Sequence, residues 1–330
     1  MPEYVATTPG LFPLPDWAKE SLSDLKGHQK HDLISGDEPS SVDEEYQAAR
    51  EEVIETQAEA GLDRVVEGQL RWDDMLAHPL AVNDAVDTRG IVRYYDNNNF
   101  YRDPVVVDEL RPGGDVAAEL EAAADLASTP LQAVLPGPYS LADVATNDHY
   151  GDESAFLSAI GEFLAAETEA LPAAQTLFLL EPSLVTNPPA EELRSVATST
   201  IETVADAFPG EVVVHGYRGA YDPATHAALL ETGIDAIGYD LVTAPEANTE
   251  LVSEQGTTPS VALGVVDGQN TLVETPGEIA AELERFESVA EKVLERVYVT
   301  PNTELFYLPV STFEAKLEAL GAAVRPEVAA

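Results

Sequence analysis

Residues 176–217 read TLFLLEPSLVTNPPAEELRSVATSTIETVADAFPGEVVVHGY. Thr176–Pro182 and Glu211–Tyr217 are short apolar runs without polar alternation, the pattern of strands buried on both faces. Between them, Pro189–Phe208 has helical spacing and ends before Pro209-Gly210, where a helix stops. Two buried strands joined by a helix make a parallel crossover unit.

The same alternation extends in both directions. Further strand-like runs are Tyr4–Thr8, Asp63–Gly68, Leu131–Gly137, Ile234–Leu241, Ser260–Val266 and Arg296–Asn302. Helical patterns cover Val42–Ala60, closed by Gly61, then Glu153–Ala170, Pro223–Thr232, Pro276–Leu294 and Thr312–Leu320. Strand–helix alternation repeated about eight times predicts an α/β fold, a (β/α)8 TIM barrel, as one domain over 1–330. Two segments break the rhythm. Trp17–Ser41 is polar and reads as a long loop with a helix. Arg89–Pro112 alternates around Asp96-Asn97-Asn98-Asn99 and reads as a β-hairpin inserted after the second strand. Its aromatic cluster of Tyr94, Tyr95, Phe100 and Tyr101 is either a lid over the barrel mouth or a small satellite core.

The 330 residues include 17 Lys+Arg and 60 Asp+Glu, a net charge of −43, with 45% apolar residues. That apolar share is too high for a disordered chain. The charge repels nucleic-acid phosphates and anionic membrane surfaces, so neither is an expected partner. With no cysteine there is no disulfide, thiol nucleophile or thiolate metal ligand. No apolar run reaches the roughly 18 residues of a membrane-spanning helix, and Met1–Phe12 has no signal-peptide pattern. A cytoplasmic location is expected. Acids spread along the whole chain, with scarce lysine, fit a halophilic protein from a salt-rich cell, where a Debye length of roughly 3 Å screens carboxylates from one another.

Barrel enzymes carry their working groups where strands run out into the following loops. Those ends hold Gly10–Phe12, Gln69 to Asp74, Gly137-Pro138-Tyr139, Glu181-Pro182, His215 to Tyr221, Asp240, Asp267 to Asn270 and Asn302 to Glu304. Polar groups and glycines at nearly every strand end indicate a small-molecule site at the mouth.

Several of these stretches resemble the cobalamin-independent methionine synthases, in the short archaeal single-barrel form. Thr7-Thr8-Pro9-Gly10-Leu11-Phe12-Pro13 resembles the opening of their catalytic barrel. Glu67-Gly68-Gln69-Leu70-Arg71-Trp72-Asp73-Asp74-Met75 is similar to the second-strand motif, and Gly137-Pro138-Tyr139 to the Gly-Pro motif after the third strand. Leu180-Glu181-Pro182 sits where the family has Asp-Glu-Pro, and His215-Gly216-Tyr217 where it has His-x-Cys. Gly264-Val265-Val266-Asp267 with Val273-Glu274 matches the seventh-strand segment. Thr300-Pro301-Asn302-Thr303-Glu304 sits where the family has Asn/Asp-Pro-Asp-Cys-Gly. The matches run in order from residue 7 to about 320.

The resemblance implies methyl transfer in methionine biosynthesis. In the family a zinc ion held by His, two Cys and Glu binds the homocysteine sulfur as thiolate, which takes a methyl group from 5-methyltetrahydrofolate or a methylated corrinoid protein. Here His215 keeps its position, Asp240 stands for the Glu, and Tyr217 and Thr303 replace the cysteines. Such hydroxyls are poor zinc ligands, so a degenerate site without zinc is expected. Leu180 and Leu11 replace an Asp and a Ser of the amino-acid pocket. No bound cofactor is assigned, and 5-methyltetrahydrofolate is the expected methyl donor. Gln69, Asp74, Glu181 and Arg218 are the expected substrate contacts, each also readable as a loop tie or a charge balance. Catalytic residues stay unassigned, with His215 and Asp240 as candidates. His78 and His149 read as solvated loop residues.

Three roles stand open at this point. The first is a zinc-less methyltransferase component paired with a zinc-bearing methionine synthase barrel. The second is a stand-alone diverged methyltransferase or lyase. The third is a non-enzymatic folate-binding protein.

Overall fold

The computed structural model describes residues 2–22, 39–72, 74, 76–93, 101–290 and 293–325. Its strands are β1 (Glu3–Ala6), β2 (Val86–Val92), β3 (Tyr101–Val106), β4 (Gln132–Pro136), β5 (Thr146–Asn147), β6 (Thr176–Leu180), β7 (Glu211–His215), β8 (Ala236–Asp240), β9 (Ser260–Val266) and β10 (Arg296–Pro301). Seven of them form one parallel sheet in the order β1-β10-β9-β8-β7-β6-β4. Leu177, Phe178, Val213, Val214, Ala236, Ile237, Leu263 and Val299 are fully buried along it. A curled sheet with helices outside covers both faces of each strand, which is why these runs show no alternation.

The second predicted strand, Asp63–Gly68, closes the ring without becoming a regular strand. Only Val65 bridges to Leu131. On one side Asp63 N–H and Arg64 N–H donate to Ala6 O, at 2.9 and 3.2 Å; on the other, Val65 N–H donates to Pro130 O and Gln132 N–H to Val65 O. The Asp63 carboxylate accepts the Ala6 N–H at 2.9 Å, so a side chain does the work of a ladder carbonyl. Gln132 adds a buried polar tie across the same seam, accepting from Thr7 Oγ1 and donating to Thr8 O. The fold is a (β/α)8 barrel whose second strand is one bridge long.

The helices are α1 (Asp16–Ser21), α2 (Ser40–Ala60), α3 (His78–Ala81), α4 (Asp115–Ala124), α5 (Pro138–Val144), α6 (Glu153–Glu169), α7 (Ser183–Thr186), α8 (Glu191–Asp206), α9 (Pro223–Leu230), α10 (Pro245–Gln255), α11 (Pro276–Glu287) and α12 (Val310–Ala323). Helix α2 ends as its sequence requires, on Gly61 at φ +84°. Helix α11 opens on a Thr275–Glu278 capping box but stops at Glu287, short of the expected Leu294, which is buried on the way into β10. No helix among the described residues is long and apolar enough to cross a membrane.

Strands β2 and β3 pair antiparallel, and β5 extends them to a three-stranded sheet beside the barrel. This pair spans 86–106 rather than the expected 89–112; after it the chain runs without regular structure to α4. Tyr94, Tyr95, Phe100 and the Asn-rich turn lie outside the described residues, as do residues 23–38 of the expected long loop.

Candidate functional site at the barrel mouth

Among the described residues, three non-glycine residues have φ in the left-handed region: Leu11 at +51°, Gln69 at +52° and Arg218 at +72°. All three follow strand ends at the same rim of the barrel. Such backbone costs roughly 1 kcal/mol or more per residue and persists where surrounding contacts enforce it, commonly at ligand sites. The first two enforce each other. Leu11 N–H donates to Gln69 Oε1 at 2.7 Å, and Phe12 N–H to Gly68 O at 3.0 Å. Gly10 admits this contact, since a Cβ there would lie 2.0 Å from Gln69 Oε1. The Gln69 Nε2 amide is buried and without a partner.

Asp74 ties the next loop together. Its Oδ1 accepts from Leu76 N and Ala77 N, and its Oδ2 accepts from Arg102 N of β3, at 2.6–3.0 Å. This fixes the antiparallel pair to the mouth.

Glu181, at the end of β6, reaches the first turn of α5. It accepts from Tyr139 N at 3.0 Å, Ser140 N at 2.7 Å and Ser140 Oγ at 2.6 Å. Gly137 leaves the room, since a Cβ there would sit 2.2 Å from the carboxyl carbon. Burial pushes the Glu181 carboxyl up to about 7 against the pull of these donors. The folded state therefore holds this proton more tightly than the unfolded chain. Its contribution is fully present below the ordinary carboxyl range and is lost as pH rises to about 7. From the usual value of 4.5 that is on the order of 3 kcal/mol. Urea unfolding in molar KCl should therefore show stability falling between pH 5 and 7, and Glu181→Gln should flatten that slope. Equal slopes in the two proteins would refute this.

His215, Tyr217, Asp240 and Thr303 do converge, at the ends of β7, β8 and β10. His215 is fully buried, and burial lowers its proton affinity. Its Nε2 lies 2.9 Å from Asn302 O. A carbonyl only accepts, so Nε2 carries the proton and Nδ1 keeps a lone pair, buried and without a partner. The imidazole lies over Gly238, where a Cβ would be 2.2 Å from Nδ1, and it stacks on Tyr217 with ring centroids 5.6 Å apart. Asp240 accepts four N–H bonds: Val242 N, Thr243 N and Asn302 Nδ2 on Oδ1, and Arg218 N on Oδ2. Thr303 Oγ1 donates to Glu304, which also pairs with Arg218 Nη2 at 3.3 Å.

These side chains, as placed, do not make a zinc site. His215 offers one lone pair, on Nδ1, but Asp240 has both oxygens on N–H donors, and Tyr217 and Thr303 supply hydroxyls where a thiolate would be needed. Among the described residues no group of three or more His, Cys, Asp or Glu is arranged to hold a metal ion.

The structure gives a role to residues that the sequence placed at the mouth without one. Asn302 is the hub of the cluster: it donates to Asp240, accepts from Gly268 N and carries the carbonyl that meets His215. Glu304, 2% exposed, stands at the Gly of the resembled motif. An acid at the motif's glycine position was the available signal. His78 is a correction: it is 3% exposed, 2.8 Å from Asp115 and stacked on Trp72, because helix α3 folds it under the mouth. His149 is exposed, as expected. The Arg71 side chain is buried and pairs with Glu119 and with the exposed Asp43.

The model of the catalytic domain of the cobalamin-independent synthases matches residues 7–325. The methionine synthase of Sulfurisphaera tokodaii is 23% identical over 321 residues, spanning 94% of this chain and 88% of that protein. That of Saccharolobus solfataricus is 24% identical over 312 residues, spanning 92% and 89%. Among solved structures, the B12-independent methionine synthase from Shewanella sp. W3-18-1, in complex with selenomethionine, superposes with a TM-score of 0.79 at 19% identity, covering 97% of this chain and 96% of that one. At that identity the likeness is one of fold. The match over nearly the whole chain places this protein in the cobalamin-independent methionine synthase family.

Proposed function

We propose that the chain is a zinc-less component of a two-part methionine synthase, acting in methyl transfer from 5-methyltetrahydrofolate to homocysteine beside a separate zinc-bearing barrel. The observation that supports this is the cluster at the ends of β7, β8 and β10. Of the positions that resemble the family's zinc ligands, His215 and Asp240 both bond to Asn302, Asp240 also accepts the Arg218 N–H, and Thr303 donates to Glu304, which pairs with Arg218. A thiol is mostly protonated at neutral pH, and without a metal this mouth offers no group to sharpen it. Gln69, Asp74, Glu181 and Arg218 are the side chains we assign to ligand contact or its support. The charge balance we read as adaptation to a salt-rich cytoplasm.

Protein purified in molar KCl should carry no stoichiometric zinc and should bind 5-methyltetrahydrofolate. Homocysteine methylation should require a zinc-bearing barrel recovered from the same lysate. Stoichiometric zinc held through His215 would overturn the proposal.

One observation favours a second reading, a stand-alone methyltransferase or lyase. His215 Nδ1 is a buried base without a partner. Turnover by the purified chain alone, abolished by His215→Ala, would select it.

A further inference from the structure

We propose that Glu67 is a proton-linked positioning residue for Gln69, moving the Gln69 amide at the barrel mouth between two arrangements. Glu67 is 7% exposed and Gln69 3%. Glu67 Oε1 accepts the Gln69 N–H at 2.8 Å, which helps to hold Gln69 in its left-handed backbone. The two remaining polar side-chain atoms of this pair, Glu67 Oε2 and Gln69 Nε2, are both buried without a hydrogen-bond partner. Both residues line one small cavity of about 10 Å³ with Val66, Gln132 and Leu120. That volume is close to the space of one water molecule.

The chemistry of these two atoms gives two states. Ionised, Oε2 is a strong acceptor for the Gln69 Nε2–H. Protonated, Oε2 carries a hydrogen of its own and its hydroxyl oxygen is a much weaker acceptor for Nε2–H. The Gln69 amide is therefore drawn towards Glu67 in one state and released in the other. Its Oε1 carries the strained Leu11 corner, so the change reaches the mouth.

The charges around Glu67 place the switch well above the usual carboxyl range. Arg50 of α2 is the nearest cation, with Nε 3.9 Å from Oε2, but its Nη2 is committed to Glu119 of α4. Arg71 also pairs with Glu119, at 3.1 Å, and with Asp43. Asp115 of α4 pairs with His78. Burial and the Glu119 charge raise the Glu67 proton affinity, and Arg50 offsets only part of that.

The chain carries its own reporter. It has two tryptophans. Trp17 is exposed, and Trp72 is buried and donates its backbone N–H to Gln69 O at 3.0 Å. In a Trp17→Phe background, Trp72 emission should follow a single titration step between about pH 6 and pH 9 in molar KCl. Glu67→Gln should abolish the step. Glu119→Gln removes the repulsion and frees Arg50, so it should lower the midpoint by roughly one pH unit. Because Trp72 stacks on His78, His78→Gln is the necessary control. A step that survives Glu67→Gln and vanishes in His78→Gln overturns the proposal, as does the absence of any step. Should Glu67→Gln fail to fold, an unmoved midpoint in Glu119→Gln overturns it alone. The consequence for ligand binding rests on Gln69 as a mouth contact, whereas the emission step needs no ligand. The two readings therefore fail separately.

Discussion

Dialysis from molar KCl into about 50 mM KCl should unfold the protein, with loss of most helical circular dichroism and recovery when salt is restored. The chain holds 60 acids against 17 Lys+Arg, and four of those cations are spent inside or at the rim of the structure. Arg50 and Arg71 serve Glu119, Arg296 bridges Glu3 and Glu211, and Lys316 is buried against Glu274. The outer acids have few counter-charges left. On α2, Glu44, Glu51, Glu55 and Glu59 are exposed and the last turn has no basic residue. A carboxylate at that end also opposes the helix dipole. In molar salt a Debye length of roughly 3 Å confines each charge to its own surroundings; at 50 mM it exceeds 10 Å and neighbouring helices repel. Lowering the pH should partly replace salt, because it removes the same charges. Undiminished dichroism and an unchanged urea midpoint in dilute KCl would refute the adaptation.

The barrel was legible because its strands are buried on both faces. Runs such as Val212-Val213-Val214 have no polar face to confuse with a helix, and the glycines and prolines between runs mark the ends. The second strand was legible as a place but not as a state. Asp63 and Arg64 bring side-chain hydrogen bonds into a ladder, and Gly68 and Gln69 turn the chain at once. Helices α4 and α10 escaped for opposite reasons. DVAAELEAAA is so rich in alanine that its stripe is faint, and PEANTELVSEQ buries only Leu251 and Val252 as large apolar residues.

At the mouth, residue type indicated position better than role. His215, Tyr217, Asp240 and Thr303 do meet, and the loops bearing Gln69 and Asp74 form another part of the rim. What one-dimensional spacing did not carry is how these groups divide their bonds. The Asp240 carboxylate reads as a candidate catalyst in sequence. In the fold its lone pairs are directed at backbone N–H groups of the β7 and β8 loops and at Asn302. Glu181 likewise spends both oxygens on the start of α5. Such bonds depend on loop paths that only tertiary packing sets.

That division of labour makes Asp240→Asn a decisive substitution. The new Oδ1 can still accept from Val242 N, Thr243 N and Asn302 Nδ2. The new amide nitrogen then faces the Arg218 N–H in place of Oδ2, setting donor against donor at a 2.8 Å contact. Flipping the amide only transfers the conflict to three donors. The bond being lost is also the one that holds Arg218 at φ +72° and so presents its guanidinium to Glu304. An unpaired buried N–H together with the lost charge-assisted bonds costs on the order of 3 kcal/mol. Asp240→Asn should thus lower the urea midpoint in molar KCl substantially, at an unchanged slope, and should weaken ligand binding at the mouth through displacement of Arg218. His215→Ala gives the contrast: it removes one bond to a carbonyl and a partnerless Nδ1, though it also opens a cavity over Gly238. If Asp240→Asn keeps the parent midpoint while abolishing turnover, Asp240 is a reacting group, and the structural role derived from its four donors is wrong.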